Sequence, residues 1–585
     1  MRYLAFACDY DGTLASDGRV SESTLEALRR LRASGRKLLL VTGRELEELI
    51  SVFPDLDLCE WVVAENGALL YQPSTRLEKA LGDPPPPEFL HELKTRGVPI
   101  SVGRVIVATW EPHETTVLGV IRDLGLERQV IFNKGAVMVL PSGINKATGL
   151  AAALEELELT PHNVVGIGDA ENDHAFLRLC ECSVAVANAL PMVKQQADLV
   201  TIGDHGDGVA EIVEALVTHD LEQAAPRLTR HHILLGTQED GAAVTIPPYG
   251  LNILLAGTSG GGKSTLATGL LERLTENRYQ VCIIDPEGDY QAFRPAVVVG
   301  DTRHAPNIDE VLQLLKNPTT NVIVNLVGLP LKDRPALFGA LLPRLQELRT
   351  RTGRPHWLLV DEAHHLLPVD LTAATVTLPQ KLTQVFFITV HPNQVALPAL
   401  SSVDAVIAVG DDPESTLREA GTLLGQHPLT SGPVRLENGE ALFWPLRDAV
   451  PPIRLRIAPC HTERSRHQRK YAEGDLGAER SFYFKGPQQK LKLRAQNLLL
   501  FIQLSEGVDD ETWTYHLRRH EYSQWFRDAI KDDVLAGIAA EIEKRHDLSA
   551  GESRALIADA VTQQYTLPAS NPTGSVGEGN APVAG

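Results

Sequence analysis

Residues 3–14 read Tyr-Leu-Ala-Phe-Ala-Cys-Asp-Tyr-Asp-Gly-Thr-Leu. An apolar run short enough to be a buried strand breaks abruptly into Asp9, Asp11 and a glycine turn. Such an ending predicts an open, mostly parallel α/β sheet, because ligands of these sheets bind beyond the carboxyl ends of the strands. Two aspartates two apart also suit phosphoryl chemistry. One carboxylate attacks phosphorus while its neighbour exchanges a proton with the leaving group.

Outward from that stretch, Lys37–Val41 and Val164–Ile167 are further apolar strands, and Ser23–Ala33 has the spacing of an amphipathic helix. The alternation predicts βα units around a parallel sheet. Val41-Thr42-Gly43-Arg44 offers a hydroxyl to a phosphoryl oxygen at one strand end. Lys146 follows a Gly-Ile-Asn turn and opens a helix. Gly166-Ile167-Gly168-Asp169-Ala170-Glu171-Asn172-Asp173 supplies carboxylates of the kind Mg²⁺ takes, hard oxygen donors few in number. Pro84–Pro87 can be neither helix nor inner strand. The residues from there to about 140 form a small inserted subdomain.

In this order and at these strand ends, the four elements resemble the haloacid dehalogenase phosphatase superfamily, most closely its Cof-like class IIB branch. The resemblance spans about 1–217 and includes Val184-Ala185-Val186-Ala187-Asn188-Ala189 and Asp207-Gly208-Val209. It implies a Rossmann-like core in a phosphatase domain at 1–220, with an α/β cap at about 84–140. Asp9 would be the nucleophile that forms an aspartyl-phosphate, and Asp11 the general acid and then base. Thr42 and Lys146 would grip the phosphoryl group, Gly43 and Asn172 would meet the substrate, and Asp9, Asp11, Asp169 and Asp173 would hold Mg²⁺. So short a cap suits a small phosphorylated metabolite, a sugar phosphate or a phosphoglycolate-like compound. Glu65-Asn66-Gly67 reads as a turn near the site; Arg104, His113 and Lys134 read as solvated surface.

A second series of buried runs follows a polar linker at 221–232: Asn252–Ala256, Val281–Ile284, Val322–Leu326, Trp357–Val360, Val385–Val390 and Ala405–Val409. They define a second α/β domain at about 233–458. Gly257-Thr258-Ser259-Gly260-Gly261-Gly262-Lys263-Ser264-Thr265 satisfies the G-x-x-x-x-G-K-[ST] pattern between a strand and a helix. Its backbone N–H groups would wrap phosphate, Lys263 would reach the β- and γ-phosphates of ATP, and Ser264 would ligate Mg²⁺. Downstream, Asp361 would hold the metal through water and Glu362 would polarise the attacking water. His391 stands where a sensor residue touches the γ-phosphate.

With Asp285-Pro286-Glu287-Gly288-Asp289-Tyr290, this set resembles HerA/FtsK-like P-loop ATPases over about 232–445. That resemblance implies a RecA/HerA-like fold and a hexameric homo-oligomer that moves DNA or protein, with an arginine from the neighbouring subunit. Arg344, Arg349, Arg351, Arg354 and Arg418 are the candidates.

The 585 residues fit about three domains, and 43% hydrophobic with 22% charged residues excludes a disordered or membrane-embedded chain. A mostly helical module at 460–562 completes the count, with helical spacing at Leu491–Leu504 and Val534–Lys544; 566–585 reads as a disordered tail. The net charge of −20 argues against nucleic acid. Yet residues 464–494 carry nine basic and three acidic residues. Tyr471, Phe482, Tyr483 and Phe484 interleave with them as stacking on a single strand would require, although packing inside the module is the favoured reading. Six cysteines in no metal or disulfide spacing, and no membrane-length apolar run, predict a cytoplasmic protein. Two functions remain in play: a metabolite phosphatase regulated or clustered by its ATPase, and a nucleic-acid translocase whose first domain trims nucleotides or phosphorylated ends.

Overall fold

The computed structural model describes residues 2–565 except 134, 259, 370–381, 429–433, 447–449, 462–475, 477–479, 489–490 and 531. Lys134, Ser259, Tyr471, most of the 464–494 stretch and the 566–585 tail lie outside the described residues. Two compact units divide the chain, Met1–His461 and Thr462–Gly585.

The first unit contains two large sheets. In the order Leu199–Val200, Cys182–Ala185, Val164–Gly168, Ala5–Cys8, Lys37–Val41 and Trp61–Ala64, six strands run parallel; Leu69–Gln72 and Leu77–Ala80 add an antiparallel hairpin. Register pairs Cys8 with both Ile167 and Leu40, so Asp9, Asp169 and Thr42 emerge together at the sheet's carboxyl edge. Between the hairpin and the helix Lys146–Glu156 sits the insertion. It is a four-stranded antiparallel sheet, Ser101–Val102, Val107–Trp110, Ala136–Pro141 and Arg128–Asn133, backed by the helices Pro87–Thr95 and Glu114–Asp123. Pro87 corrects the expectation for the proline run. It opens a helix at the first position, where a missing N–H costs nothing.

The second sheet has seven parallel strands, from Ala405–Val409 through Ile253–Gly257, Val385–Thr389, Trp357–Val360, Val281–Asp285 and Asn321–Asn325 to the edge strand Ala296–Val299, with antiparallel strands added beyond Ala405–Val409. Their near-continuous apolar runs are what a sheet covered on both faces demands. The two sheets meet through the amino ends of their strands. Arg2, His162 and Glu181 precede strands of the first; Asn277, Tyr279, Arg354 and His356 precede strands of the second. The Arg354 guanidinium donates to the Glu158 carbonyl at 2.6 Å, and Thr160 Oγ1 lies 3.2 Å from His356 Nε2. The carboxyl ends therefore point in opposite directions.

Within Thr462–Gly585, the hairpin Phe482–Phe484 with Leu493–Ala495 packs against helices Leu498–Gly507, Asp510–Arg518, Glu521–Asp528, Asp533–Lys544 and Ala550–Tyr565. The helix expected from Leu491 thus begins only at Leu498, capped by Asn497. Phe482 and Phe484 are buried with Phe501, Trp513, Tyr522 and Trp525 in one aromatic core. They are not surface stacking platforms.

Candidate active sites

Asp9, Thr42, Lys146, Asp169 and Asp173 come together, each no more than 3% exposed. Asn145 caps the helix Lys146–Glu156 through a reciprocal box with Thr148, which fixes Lys146 at the first helical position, its side chain turned into the core. That helix rides directly on the Glu65–Gly67 turn. A Cβ at Gly149 would lie 2.6 Å from Gly67 Cα, and one at Gly67 would lie 1.9 Å from the Asn145 carbonyl oxygen. Neither position accepts a side chain.

Lys146 Nζ donates to Asp9 at 2.5 Å and to Asp173 at 2.6 Å. The other Asp173 oxygen accepts from the backbone of Asp169 and Ala170 and closes their turn, while Thr13 Oγ1 donates to Asp169 at 3.0 Å. Carboxylate oxygens of Asp9, Asp169 and Asp173 lie within 4.8 Å of one another. Burial penalises the Lys146 ammonium, but Asp173 and Asp9 more than offset this and hold it above its ordinary value. Burial and then Asp173 push the Asp9 carboxyl well up, against the pull of Lys146. Three buried carboxylates sharing one ammonium are short of positive charge, and a hard divalent cation is the complement of such a donor set.

Asp11 stands apart from this cluster. Arg44 grips both its oxygens at 2.7 Å, beside an open depression of about 800 Å³ that also borders His205. The Asp11 carboxylate lies outside the triad of Asp9, Asp169 and Asp173 that the described residues form. Thr42 Oγ1 accepts from the Arg44 N–H, so one arginine orders two candidate residues. Met138 of the insertion lies 3.6 Å from where a Gly43 Cβ would stand, and Asn172 Nδ2 donates to Asn66 at 3.0 Å. Asn172 Oδ1 is buried without a hydrogen-bond partner among the described residues.

Glu65 binds the insertion, not the reaction centre. Its carboxylate accepts the backbone N–H groups of Arg104, Val105 and Ile106 at 2.7–3.0 Å. The Arg104 side chain pairs with Glu47 and Glu78 on the surface, and His113 precedes the helix Glu114–Asp123 without a side-chain capping bond. Within the trailing 184–189 signature, the Asn188 amide ties the Gly12 carbonyl to the backbone of His205. Thr13 and Arg44 carried no expectation of their own, although both stand inside motifs that were legible.

In the second sheet, the helix Lys263–Glu276 starts from Gly262, which has a φ of 92° and no side-chain cap. Such an end presents backbone N–H groups to an anion. Lys263 Nζ bridges the Gly257 and Thr258 carbonyls. Register sets Thr389 beside Ala256, and Val360 beside Phe387, so His391, Asp361 and Glu362 follow adjacent strands. Glu362 bends the chain away at a φ of 41°, a left-handed conformation uncommon outside glycine. His364 Nδ1 lies 3.0 Å from Thr389 Oγ1 and 3.5 Å from Glu362. Burial, with His365 and His391, lowers the His364 ring to about 4, so it is neutral at pH 7. Asp285 folds its own loop by accepting from the N–H groups of Gly288, Asp289 and Tyr290.

Two arginine candidates are overturned. Arg349 and Arg354 hold internal carbonyls, Arg349 those of Pro355 and Thr383 and Arg354 those of Leu315, Lys316 and Glu158. Neither can reach a neighbouring subunit.

Two family models match the chain: haloacid dehalogenase-like hydrolase over 6–84 and 121–213, and the central domain of helicase HerA over 252–345. A phosphoglycolate phosphatase of Methanothermobacter thermautotrophicus is 34% identical over 36% of this chain and 96% of its own length. Phosphoglycolate phosphatase 2 of Saccharolobus solfataricus is 29% identical over 37% of this chain and 93% of its own. A 5-amino-6-(5-phospho-D-ribitylamino)uracil phosphatase of Bacillus subtilis is 26% identical over 35% and 93%. The chain belongs to the haloacid dehalogenase-like hydrolases. It is a phosphatase of that class, fused to a HerA-type P-loop domain.

Proposed function

We propose that the chain hydrolyses the phosphomonoester of a small metabolite of the phosphoglycolate or sugar-phosphate kind, and that it binds and hydrolyses ATP at the second sheet. The observation that carries the first reading is the buried cluster of Asp9, Lys146, Asp169 and Asp173 beneath the insertion. Asp9 attacks phosphorus and takes the phosphoryl group as an acyl phosphate, and the alcohol leaves. Asp11 gives that alcohol its proton and then takes one from the water that cleaves the acyl phosphate, returning Asp9. To do so it must exchange Arg44 for the substrate. Lys146 and the Thr42 hydroxyl hold the phosphoryl oxygens, Gly43 and Asn172 meet the substrate below Met138, and the insertion excludes bulk water. Asp9, Asp169 and Asp173 would hold Mg²⁺, which when bound neutralises the charge that collects on the phosphoryl group.

At the second site, residues 257–265 would cradle the phosphates of ATP. Ser264 and Asp361 would hold its Mg²⁺, Glu362 would orient the attacking water, and His391 would sense the γ-phosphate. Oligomerisation through this domain, as a hexamer by family likeness, would cluster the phosphatase. Burial of Phe482 and Phe484 takes two of the four aromatics of the basic stretch out of a stacking role, which weighs against the nucleic-acid alternative. Five of the six cysteines are buried, Cys460 is half-buried and all are free thiols, in keeping with a cytoplasmic setting. Among the described residues no helix is long and apolar enough to cross a membrane. The test is phosphate release from a panel of phosphorylated metabolites with Mg²⁺, run with and without ATP. Release from small phosphomonoesters is expected; release only from nucleotides or phosphorylated DNA ends would favour the translocase reading instead.

A further inference from the structure

The joint between the two sheets carries a cluster that neither reaction uses. His162 and Glu181 stand on the phosphatase side, and His231 belongs to the segment that links the sheets. One imidazole nitrogen from each histidine and a Glu181 oxygen lie within 4.8 Å of one another. His162 Nδ1 is 2.8 Å and His231 Nε2 is 4.0 Å from Glu181 Oε2.

The remaining atoms of these side chains are committed in a telling way. His162 Nε2 lies 2.9 Å from the Asn277 carbonyl of the P-loop side. A carbonyl only accepts, so Nε2 carries a proton; Nδ1 faces the Glu181 carboxylate at hydrogen-bond distance, and a metal ion would take the place of the proton shared between them. His231 Nε2 is buried without a hydrogen-bond partner among the described residues, while the ring bonds the Cys180 backbone; the partnered nitrogen is therefore Nδ1, and Nε2 is left to face Glu181. Arg2 holds the far oxygen of Glu181 at 2.6 Å, and the Tyr279 hydroxyl donates to Oε2 at 2.9 Å. Tyr279 also stacks on the His162 ring, with centroids 3.8 Å apart. Histidines that bind metal nearly always give their second N–H to a carbonyl or carboxylate, which fixes the tautomer and aims the free nitrogen.

We propose that His162 Nδ1, His231 Nε2 and Glu181 Oε2 form a binding site for a zinc-class transition-metal dication at this joint. Two imidazoles and one carboxylate are a zinc donor set, and the Tyr279 hydroxyl stands beside it for a fourth position. Bonds of about 2.0–2.1 Å to tetrahedral ligands set donor atoms roughly 3.3 Å apart. Seating the ion therefore parts Nδ1 from Oε2 by about 0.5 Å and draws His231 inward by a similar amount. The bound ion fastens the linking segment to the phosphatase core, while Asn277 and Tyr279 brace it from the P-loop sheet. Its role is structural, remote from either candidate reaction centre.

The test uses the full chain without a polyhistidine tag, stripped with chelator and desalted, then given zinc sulfate. Elemental analysis is expected to find one zinc per chain that His231→Gln lacks. The thermal midpoint of the unsubstituted chain is expected to rise by several degrees with zinc, and that of the variant by less than a third as much. His231→Gln is chosen because Nε2 has nothing to lose if no metal binds; without zinc its midpoint should match the parent. His162→Gln provides an independent second reading. No zinc-dependent rise in the parent, or equal zinc and equal rise in the parent and both variants, overturns the site.

Discussion

Lys146 is the residue on which the phosphatase cluster depends electrostatically. It is 1% exposed and is the ammonium to which both Asp9 and Asp173 bond. Removing one partner of a buried ion pair leaves an uncompensated charge and costs about 3–5 kcal/mol. Lys146→Ala should therefore lower the thermal midpoint markedly and reduce turnover by about a thousandfold. Millimolar Mg²⁺ should restore much of the stability and little of the activity. A midpoint indifferent to both the substitution and Mg²⁺ would show that the carboxylates are not charged together. Arg44 makes a different prediction. Because it occupies Asp11, Arg44→Ala should alter kcat more than KM, in contrast to a change at a proposed substrate contact such as Asn172. The need for a carboxylate pair, a hydroxyl, a lysine and a further carboxylate pair was legible from residue types and their strand-end positions. That Arg44 takes both oxygens of Asp11 was not, since an arginine's partner lies wherever tertiary structure brings a carboxylate.

Glu65 and the turn it begins join the core to the inserted sheet. Its carboxylate satisfies three consecutive N–H groups of the 104–106 segment, a set that an amide cannot reproduce with one acceptor oxygen. Glu65→Gln should lower kcat/KM by about tenfold, chiefly through KM, as closure over the substrate weakens. An unchanged KM would mean that Glu65 does not govern closure over the substrate. A second prediction concerns the histidines. His356 is held well below its ordinary value by burial, with His162 and Arg354 adding to the effect, and His364 is lowered to about 4. The folded chain thus refuses protons that the unfolded chain accepts as pH falls below about 6.5. Stability is full above that pH and drains away between about 6.5 and 4; His364→Gln should flatten part of the slope, measured as thermal midpoint against pH. Most strands were legible because apolar runs bounded by glycine or acid leave few alternatives. The boundary at Leu491 was not: leucine spacing there fits a helix, but Leu493–Ala495 pairs with Phe482–Phe484, and a long-range partner overrides local periodicity.

The sheets of the first unit join through the amino ends of their strands, so the two candidate sites face away from each other. Strands of four or five residues span roughly 15 Å each, which separates the sites by about 30 Å. No product of one reaction passes directly to the other, and coupling has to run through the joint or through neighbouring subunits. Lys263→Ala should abolish ATP binding yet leave the phosphatase rate within about twofold, because no P-loop residue reaches Asp9. A phosphatase that fell tenfold or more would mean the joint transmits the state of the nucleotide site. None of this arrangement was legible in the sequence, which marks each site by its own motif but leaves the orientation between sheets to residues such as His162 and Arg354. By sequence alone Arg354 is one of five arginines among which nothing chooses a residue that serves another subunit. Everything proposed for the first site turns on Asp9, and what decides it is the initial rate of phosphate release from 2-phosphoglycolate and a panel of sugar phosphates by the full chain with Mg²⁺. Asp9→Asn, nearly isosteric but not nucleophilic, should fall by about a thousandfold or more on whichever substrate is best. Equal rates for parent and variant, or no release from any compound of the panel, would contradict it.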